Sequence, residues 1–412
     1  MKSSVVLYIS GIVLGIATSV AVIFLELPVW IGVAAPVIII TVFTILGEKM
    51  DKRASFAKDR RLSGLIYEAV RLKTSTEDTE GIEKRIAAAC EGHPEAWKGY
   101  RVLGELFLMR GNRSKARDYF LKADKALPAD DKSPDRCAIW NNLGALALTM
   151  GRGDEAIEYY LKSAAVVPAF FRGPALMNEF GWGIPQDTLT AEWMYRKAVE
   201  AGNSEAIVNL YEMRWRESKG LPRELWQGYA DYMYGCHCGR TQVSGASSLI
   251  GSARNGYAPA QFELGTLYMG GIYGEDVPTR RREAFKWLRA SADQGFLPAL
   301  HNLGFMAQQS IMDPEKGDIF QPSVKGSLYY DKEIVRHCAI EGHKLILRAA
   351  EEGFAPSQHS IGMRYILGGK SLVGEEYRGL FEKDPSKAKL WLEKAAAQGY
   401  APAREDLKKY FG

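Results

Sequence analysis

Six residues of the types that bind metal fall in two short stretches. Cys236, His237 and Cys238 form a Cys-x-Cys unit, and His337, Cys338 and His343 lie further along the chain. Zinc takes thiolate and imidazole ligands in tetrahedral sets. Here no Cys-x-x-Cys pair accompanies them, and thiols and imidazoles of a reducing compartment pack readily into a core. The five cysteines, an odd number without regular spacing, outline no disulfide framework and point to such a compartment. No cofactor is expected, and a zinc-dependent site at Cys236, His237 and Cys238 stands as an alternative. The chain has no G-x-x-x-x-G-K-[ST], H-E-x-x-H or G-x-S-x-G, and no G-x-G-x-x-G after a strand, so an enzyme is not expected. A formal charge of +4 is too mild to imply nucleic acid, and 47% hydrophobic with 25% charged residues reads as globular.

The elements that position these residues are helices. A junction recurs five times: helix, Gly, aromatic, any residue, Pro, Ala, helix. In the clearest copy Ala388, Trp391, Leu392 and Ala395 precede Gly399, Tyr400, Pro402 and Ala403. The same frame holds Trp287, Leu288, Ala292, Gly295, Phe296 and Pro298, then Gly353, Phe354 and Pro356, then Gly256, Tyr257 and Pro259. A weaker copy, with Ala191, Tyr195, Ala198 and Gly202, lacks the aromatic and the Pro. Residues three and four apart make one apolar face, Gly ends a helix in the left-handed conformation, and Pro suits the first turn of the next. Repetition of such pairs builds a solenoid.

Ala260, Leu264, Gly265 and Tyr268 with Ala284, Trp287, Leu288, Ala292 and Gly295 resemble the Sel-one-like repeat, a branch of the tetratricopeptide superfamily. Two earlier units are similar to ordinary tetratricopeptide repeats: Tyr100, Leu103, Gly104, Phe107, Ala116, Phe120 and Ala123, then Trp140, Leu143, Gly144, Ala147, Ala156, Tyr160 and Ser163. The resemblance implies an all-α fold, a right-handed α-solenoid. The expected division is a transmembrane hairpin over 1–48, a basic juxtamembrane linker and helix over 49–79, tetratricopeptide repeats over 80–170, and Sel-one-like repeats over 171–412 with insertions at 212–244 and 306–341.

The hairpin is read from two uncharged apolar runs, Val5 to Leu25 and Leu27 to Gly47, each long enough for the ~20 residues a spanning helix needs. Lys49, Lys52, Arg53, Lys58, Arg60 and Arg61 follow the second run, which by the positive-inside rule places the repeats in the cytoplasm. A multi-pass protein of a bacterial inner membrane is the expected location, with the bilayer as partner through residues 5–47. Gly11 and Gly15 have the G-x-x-x-G spacing of close helix packing, within the hairpin or in a homodimer.

In the tetratricopeptide family a partner's carboxylate is sometimes gripped by basic residues and Asn on the inner face. Arg101 and Asn142 are the matching positions, whereas Glu105, one turn from Arg101, would repel a carboxylate. Lys98, Arg101, Glu105, Asn141 and Asn142 are the expected inner-face residues. Phe171 and Trp182, close to Phe170 and Phe180, are a candidate aromatic patch for a peptide, or else fill the change between repeat types. The function implied is a membrane-anchored scaffold or adaptor that binds another protein as a peptide or helix. The alternative is an immunity or inhibitor protein against a toxin or enzyme at the same membrane.

Overall fold

The computed structural model describes residues 60–72, 80–91, 93–238, 246–274, 276–308, 332–368 and 382–412. Among them the regular structure is helical, and consecutive helices pack as hairpins. Two compact units emerge, one over 60–213 with 234–238, the other over 214–233 with 246–412.

The first unit holds α1 (Arg60–Leu72), α2 (Glu80–Cys90), α3 (Ala96–Met109), α4 (Arg113–Ala126), α5 (Pro134–Thr149) and α6 (Gly153–Val166). A 3-10 turn (Pro168–Phe171), α7 (Arg172–Phe180) and α8 (Thr188–Glu200) follow, then most of α9 (Ser204–Lys219) and the end of α10 (Arg223–His237). Its core alternates small with large residues. A Cβ on Gly104 would stand 2.8 Å from the Phe120 ring, and one on Gly144 2.9 Å from Tyr160, so α4 and α6 lie against their partners at glycine distance. Ala116, Ala123 and Ala156 are fully buried beside those rings.

The second unit holds the rest of α9 and α10, then α11 (Ala246–Arg254), α12 (Ala258–Met269), α13 (Val277–Ala292) and α14 (Leu297–Gln308). It ends with α15 (Lys332–Glu351), α16 (Ala355–Leu367), α17 (Pro385–Ala397) and α18 (Ala401–Phe411). Its junction glycines Gly256, Gly295, Gly353 and Gly399 have φ of 91°, 78°, 103° and 84°. At each, the following aromatic N–H reaches back five residues: Tyr257 to Ser252 O at 3.1 Å, Phe296 to Ser291 O at 3.4 Å, Phe354 to Ala349 O at 2.9 Å, Tyr400 to Ala395 O at 3.3 Å. This bond pattern satisfies carbonyls that a helix end leaves open. Tyr257, Phe296 and Phe354 then plug the turn from inside, fully or almost fully buried. Trp287 and Trp391 are half-buried, with Lys286 and Lys394 over their rings at 5.1 and 4.3 Å.

The apolar runs 5–25 and 27–47, the basic residues at 49–58 and the Gly11/Gly15 spacing lie outside the described residues. Among the described residues no helix is long and apolar enough to cross a membrane. The expected multi-pass inner-membrane location is corrected on this finding. The described helices spend one face on each other and carry charge on the other, as α15 does with Arg336, Lys344 and Arg348.

Candidate functional site

The polar residues of the first unit come from α3 and α5. Lys98 pairs with Glu95 at 2.8 Å and lies 5.6 Å from the Trp97 ring centroid. Arg101 is 9% exposed, and its Nη1 donates to Asp135 Oδ1 at 3.0 Å. Its Nε stands 3.9 Å from Glu105 Oε1, and its guanidinium covers Trp97 at 5.5 Å. Asn141 and Asn142 are half-buried one turn along α5 from Cys137. Instead of a solvated row, Arg101 and Glu105 are thus interior, and Arg101 is paired with Asp135. A carboxylate arriving at Arg101 would have to displace Asp135. Sequence spacing gives no sign of Asp135, because the pair joins α3 to α5 with the whole of α4 between them.

That loop, 127–133, is held by Arg136, whose Nη1 donates to Pro128 O at 2.5 Å and Ala129 O at 3.2 Å. Its Nε pairs with Asp124 at 2.9 Å, and Ser133 caps α5 by accepting from Arg136 N at 3.3 Å.

The aromatic candidates separate. Trp182 is 9% exposed and packs against Phe180, Tyr234 and His237 at centroid distances of 5.2, 5.4 and 5.8 Å, as core. Phe171 is half-buried and meets Trp193 edge-on at 5.3 Å. Trp193 is 51% exposed and Leu189, one turn before it on α8, is 80% exposed. Neither was singled out by the sequence, since their spacing fits an inward face equally well.

His237 ends α10 against the Tyr160 ring at 5.1 Å, with Cys238 buried and Cys236 half-buried beside it. Burial, and then the Arg172 charge, push the His237 pKa down to about 3, so the imidazole is neutral. Its Nε2 and the Tyr160 hydroxyl are enclosed without a hydrogen-bond partner among the described residues. In the second unit Arg364 Nη1 meets His343 Nδ1 at 2.8 Å, and Arg364 Nη2 donates to Gln308 Oε1. Cys338 is buried and His337 exposed. Among the described residues no group of three or more His, Cys, Asp or Glu is placed to hold a metal. Cys236, His237 and Cys238 stand at the end of α10, where the His237 ring packs on Tyr160.

Other polar groups met inside the units had no sequence signature. Tyr195 donates to the fully buried Glu179 at 2.5 Å. In the second unit Gln261 and Gln358 each donate to the last turn of the preceding helix, at Ala253 O (3.0 Å) and Ala350 O (3.1 Å). They accept in turn from Gln294 and Gln398 at 2.7 and 2.8 Å.

Comparison with known proteins matches the Sel1 repeat at residues 101–123, 153–165, 169–203, 258–296 and 365–400. The match reaches the two units whose residues read as ordinary tetratricopeptide repeats. No curated protein matches the chain. Among solved structures, the chain is similar to a protective antigen of uropathogenic Escherichia coli displaying an SLR fold, at 20% identity and TM-score 0.31, covering 88% of this chain and 82% of that one. It is also similar to a Sel1 repeat protein from Oxalobacter formigenes, at 18% identity and TM-score 0.28 over 83% of this chain and 93% of that one. An immunity protein from Pseudomonas aeruginosa matches at 17% identity and TM-score 0.26 over 70% of this chain and 91% of that one. Scores this low carry nothing further. With five matched segments, and with helices of the second unit joined by one recurring junction, the chain carries Sel1-like repeats.

Proposed function

We propose that this chain works by recognition, its repeats holding another protein. The observation that carries this is the Sel1 match itself, because Sel1 repeat proteins generally mediate protein–protein interaction. The first unit offers an anchor of the right chemistry. Trp193 and Leu189 stand in solvent one turn apart, and Phe171 supports the indole edge. Tryptophans of this kind dominate binding energy when a partner covers them.

The test is affinity capture on the full chain, with Trp193→Ala and Leu189→Ala beside the parent. A partner held stoichiometrically by the parent and lost at least tenfold by Trp193→Ala is the expected result. Capture indifferent to both substitutions would remove this surface from the reading. If the partner is an enzyme or toxin, its activity when bound separates an adaptor, which leaves it active, from an inhibitor, which silences it.

A further inference from the structure

The N-terminal part of α13 holds three consecutive arginines, Arg280, Arg281 and Arg282. Arg280 and Arg281 are half-buried and Arg282 is exposed. Elsewhere on this helix cations are matched: Lys286 pairs with Glu283 at 3.5 Å and Arg289 with Asp293 at 2.9 Å. The three arginines make no ion pair or hydrogen bond among the described residues.

Asp276, a carboxylate on which the Arg280 and Arg282 charges act, is already committed. Asp276 caps the helix, taking Thr279 N and Thr279 Oγ1 at 2.8 Å each, which together with the Arg282 and Arg280 charges lowers its pKa. What holds Arg280 is the turn before the helix. A Cβ on Gly271 would stand 2.7 Å from Arg280 Nη1, and one on Gly274 2.6 Å from its Cγ, so the side chain lies in a groove that only glycines leave open. Burial, and then the Arg280 charge, lower the Arg281 pKa. Tyr268 and Tyr273 meet at the same turn with tilted rings, centroids 5.7 Å apart, and Arg254 is near enough to act on the Tyr268 phenol.

Holding two guanidinium groups half out of water beside each other, with no ion-pair partner among the described residues and Asp276 engaged as a cap, is unfavourable. The arrangement becomes favourable when an anion supplies the charge, and the planar guanidinium fork fits carboxylate or phosphate oxygens two at a time. We propose that Arg280 and Arg281, framed by the Gly271–Gly274 turn, form a site for the anionic oxygens of an acidic segment of a partner protein. This deepens the recognition reading and rests on it, but places a polar contact in the second unit, apart from Trp193 in the first.

The probe is a fluorescent octaglutamate peptide titrated onto the full chain at low salt, with inorganic phosphate as competitor. The parent is expected to bind it. Arg280→Gln with Arg281→Gln should weaken binding at least tenfold, while Lys286→Gln with Arg289→Gln on the same helix changes it less than twofold. Thermal melts of both double variants check folding, and the Arg280/Arg281 variant should melt no lower than the parent. An equal loss in both double variants would reduce the effect to overall charge and overturn the site, as would a parent that does not bind. Displacement by phosphate at concentrations that leave ionic strength unchanged would give the site to a phosphate group rather than to carboxylates and overturn the acidic-segment assignment. A protein partner lost by Trp193→Ala but retained by the Arg280/Arg281 variant would sink this inference alone.

Discussion

In the first unit the tight turn lies inside a helix pair: α3 ends at Met109 and α4 starts at Arg113, α5 ends at Thr149 and α6 starts at Gly153. The connection from α4 to the next pair runs over 127–133. In the second unit the tight turn lies between pairs, from Ala292 to Leu297 and from Glu351 to Ala355. The connections inside its pairs are the longer ones, as from Met269 to Val277. The chemistry that closes the between-pair turn changes with its length. A short turn has its carbonyls taken by the helix-end bonds of Gly295 and Phe296, so an apolar plug completes it. The longer 127–133 loop exposes carbonyls that need donors, and Arg136 supplies them at Pro128 and Ala129. A repeat joint is thus closed with a ring where it is short and with a guanidinium where it is long.

The sharpest way to break this comparison is to remove the ring. Phe296→Ala should cost about 3–5 kcal/mol in urea unfolding, the range for emptying a buried aromatic site. A loss under 1 kcal/mol would show that the turn does not depend on its plug. Next comes the guanidinium. Arg136→Met keeps the side chain's length over Trp140 but removes its donors, and should cost about 1.5–3 kcal/mol, the worth of hydrogen bonds to a charged group. If Arg136→Met and Arg136→Lys are equally harmless, the loop closes without it.

The smallest effect concerns acid. His237 in the first unit and His301 in the second both have pKa values pushed down to about 3, chiefly by burial. An unfolded histidine titrates near 6.5 (roughly). The folded value lies below the unfolded one, so the contribution is complete above about pH 6.5 and is lost as pH falls toward the folded value. His237→Phe should therefore flatten the decline of the urea midpoint between pH 7 and pH 5. At pH 7 it should cost little, because Nε2 has no partner among the described residues. His301→Phe should flatten the same limb but cost about 1 kcal/mol at pH 7, since it orphans the buried Ser357 hydroxyl, 2.7 Å from His301 Nδ1. An unchanged acid limb in His237→Phe would mean the imidazole reaches water.

The repeats were readable in the sequence because their signal is periodic. Apolar residues at helical spacing, with Gly and Pro at the joints, state where one helix ends and the next begins. The aromatic after each junction glycine was visible too, though not that Tyr257 and Phe296 would be fully buried. The polar contacts of the first unit are not readable, because they join separate elements and follow no helical period. Arg101 reads as an inner-face residue in the sequence, and nothing in its spacing points to Asp135 on the next helix pair. Cys236, His237 and Cys238 offer zinc only as an alternative in the sequence, because metal chemistry is recognised there by residue type alone. The packing of His237 against Tyr160 is a property of place.

The glutamine pairs also bear on the order of the copies. Gln261 on α12 and Gln358 on α16 each meet a glutamine that stands just before a junction glycine, Gln294 and Gln398. At the corresponding places for α14 stand Leu300 and Glu352, and Glu352 turns to Arg348 at 2.8 Å instead. Copies that share one backbone frame are therefore spelled in two ways at the seam. Exchanging α12 with α14 would set a leucine against Gln294 and a glutamine against an acid already engaged. The succession of repeats is not free to be shuffled, although every copy is built to the same plan.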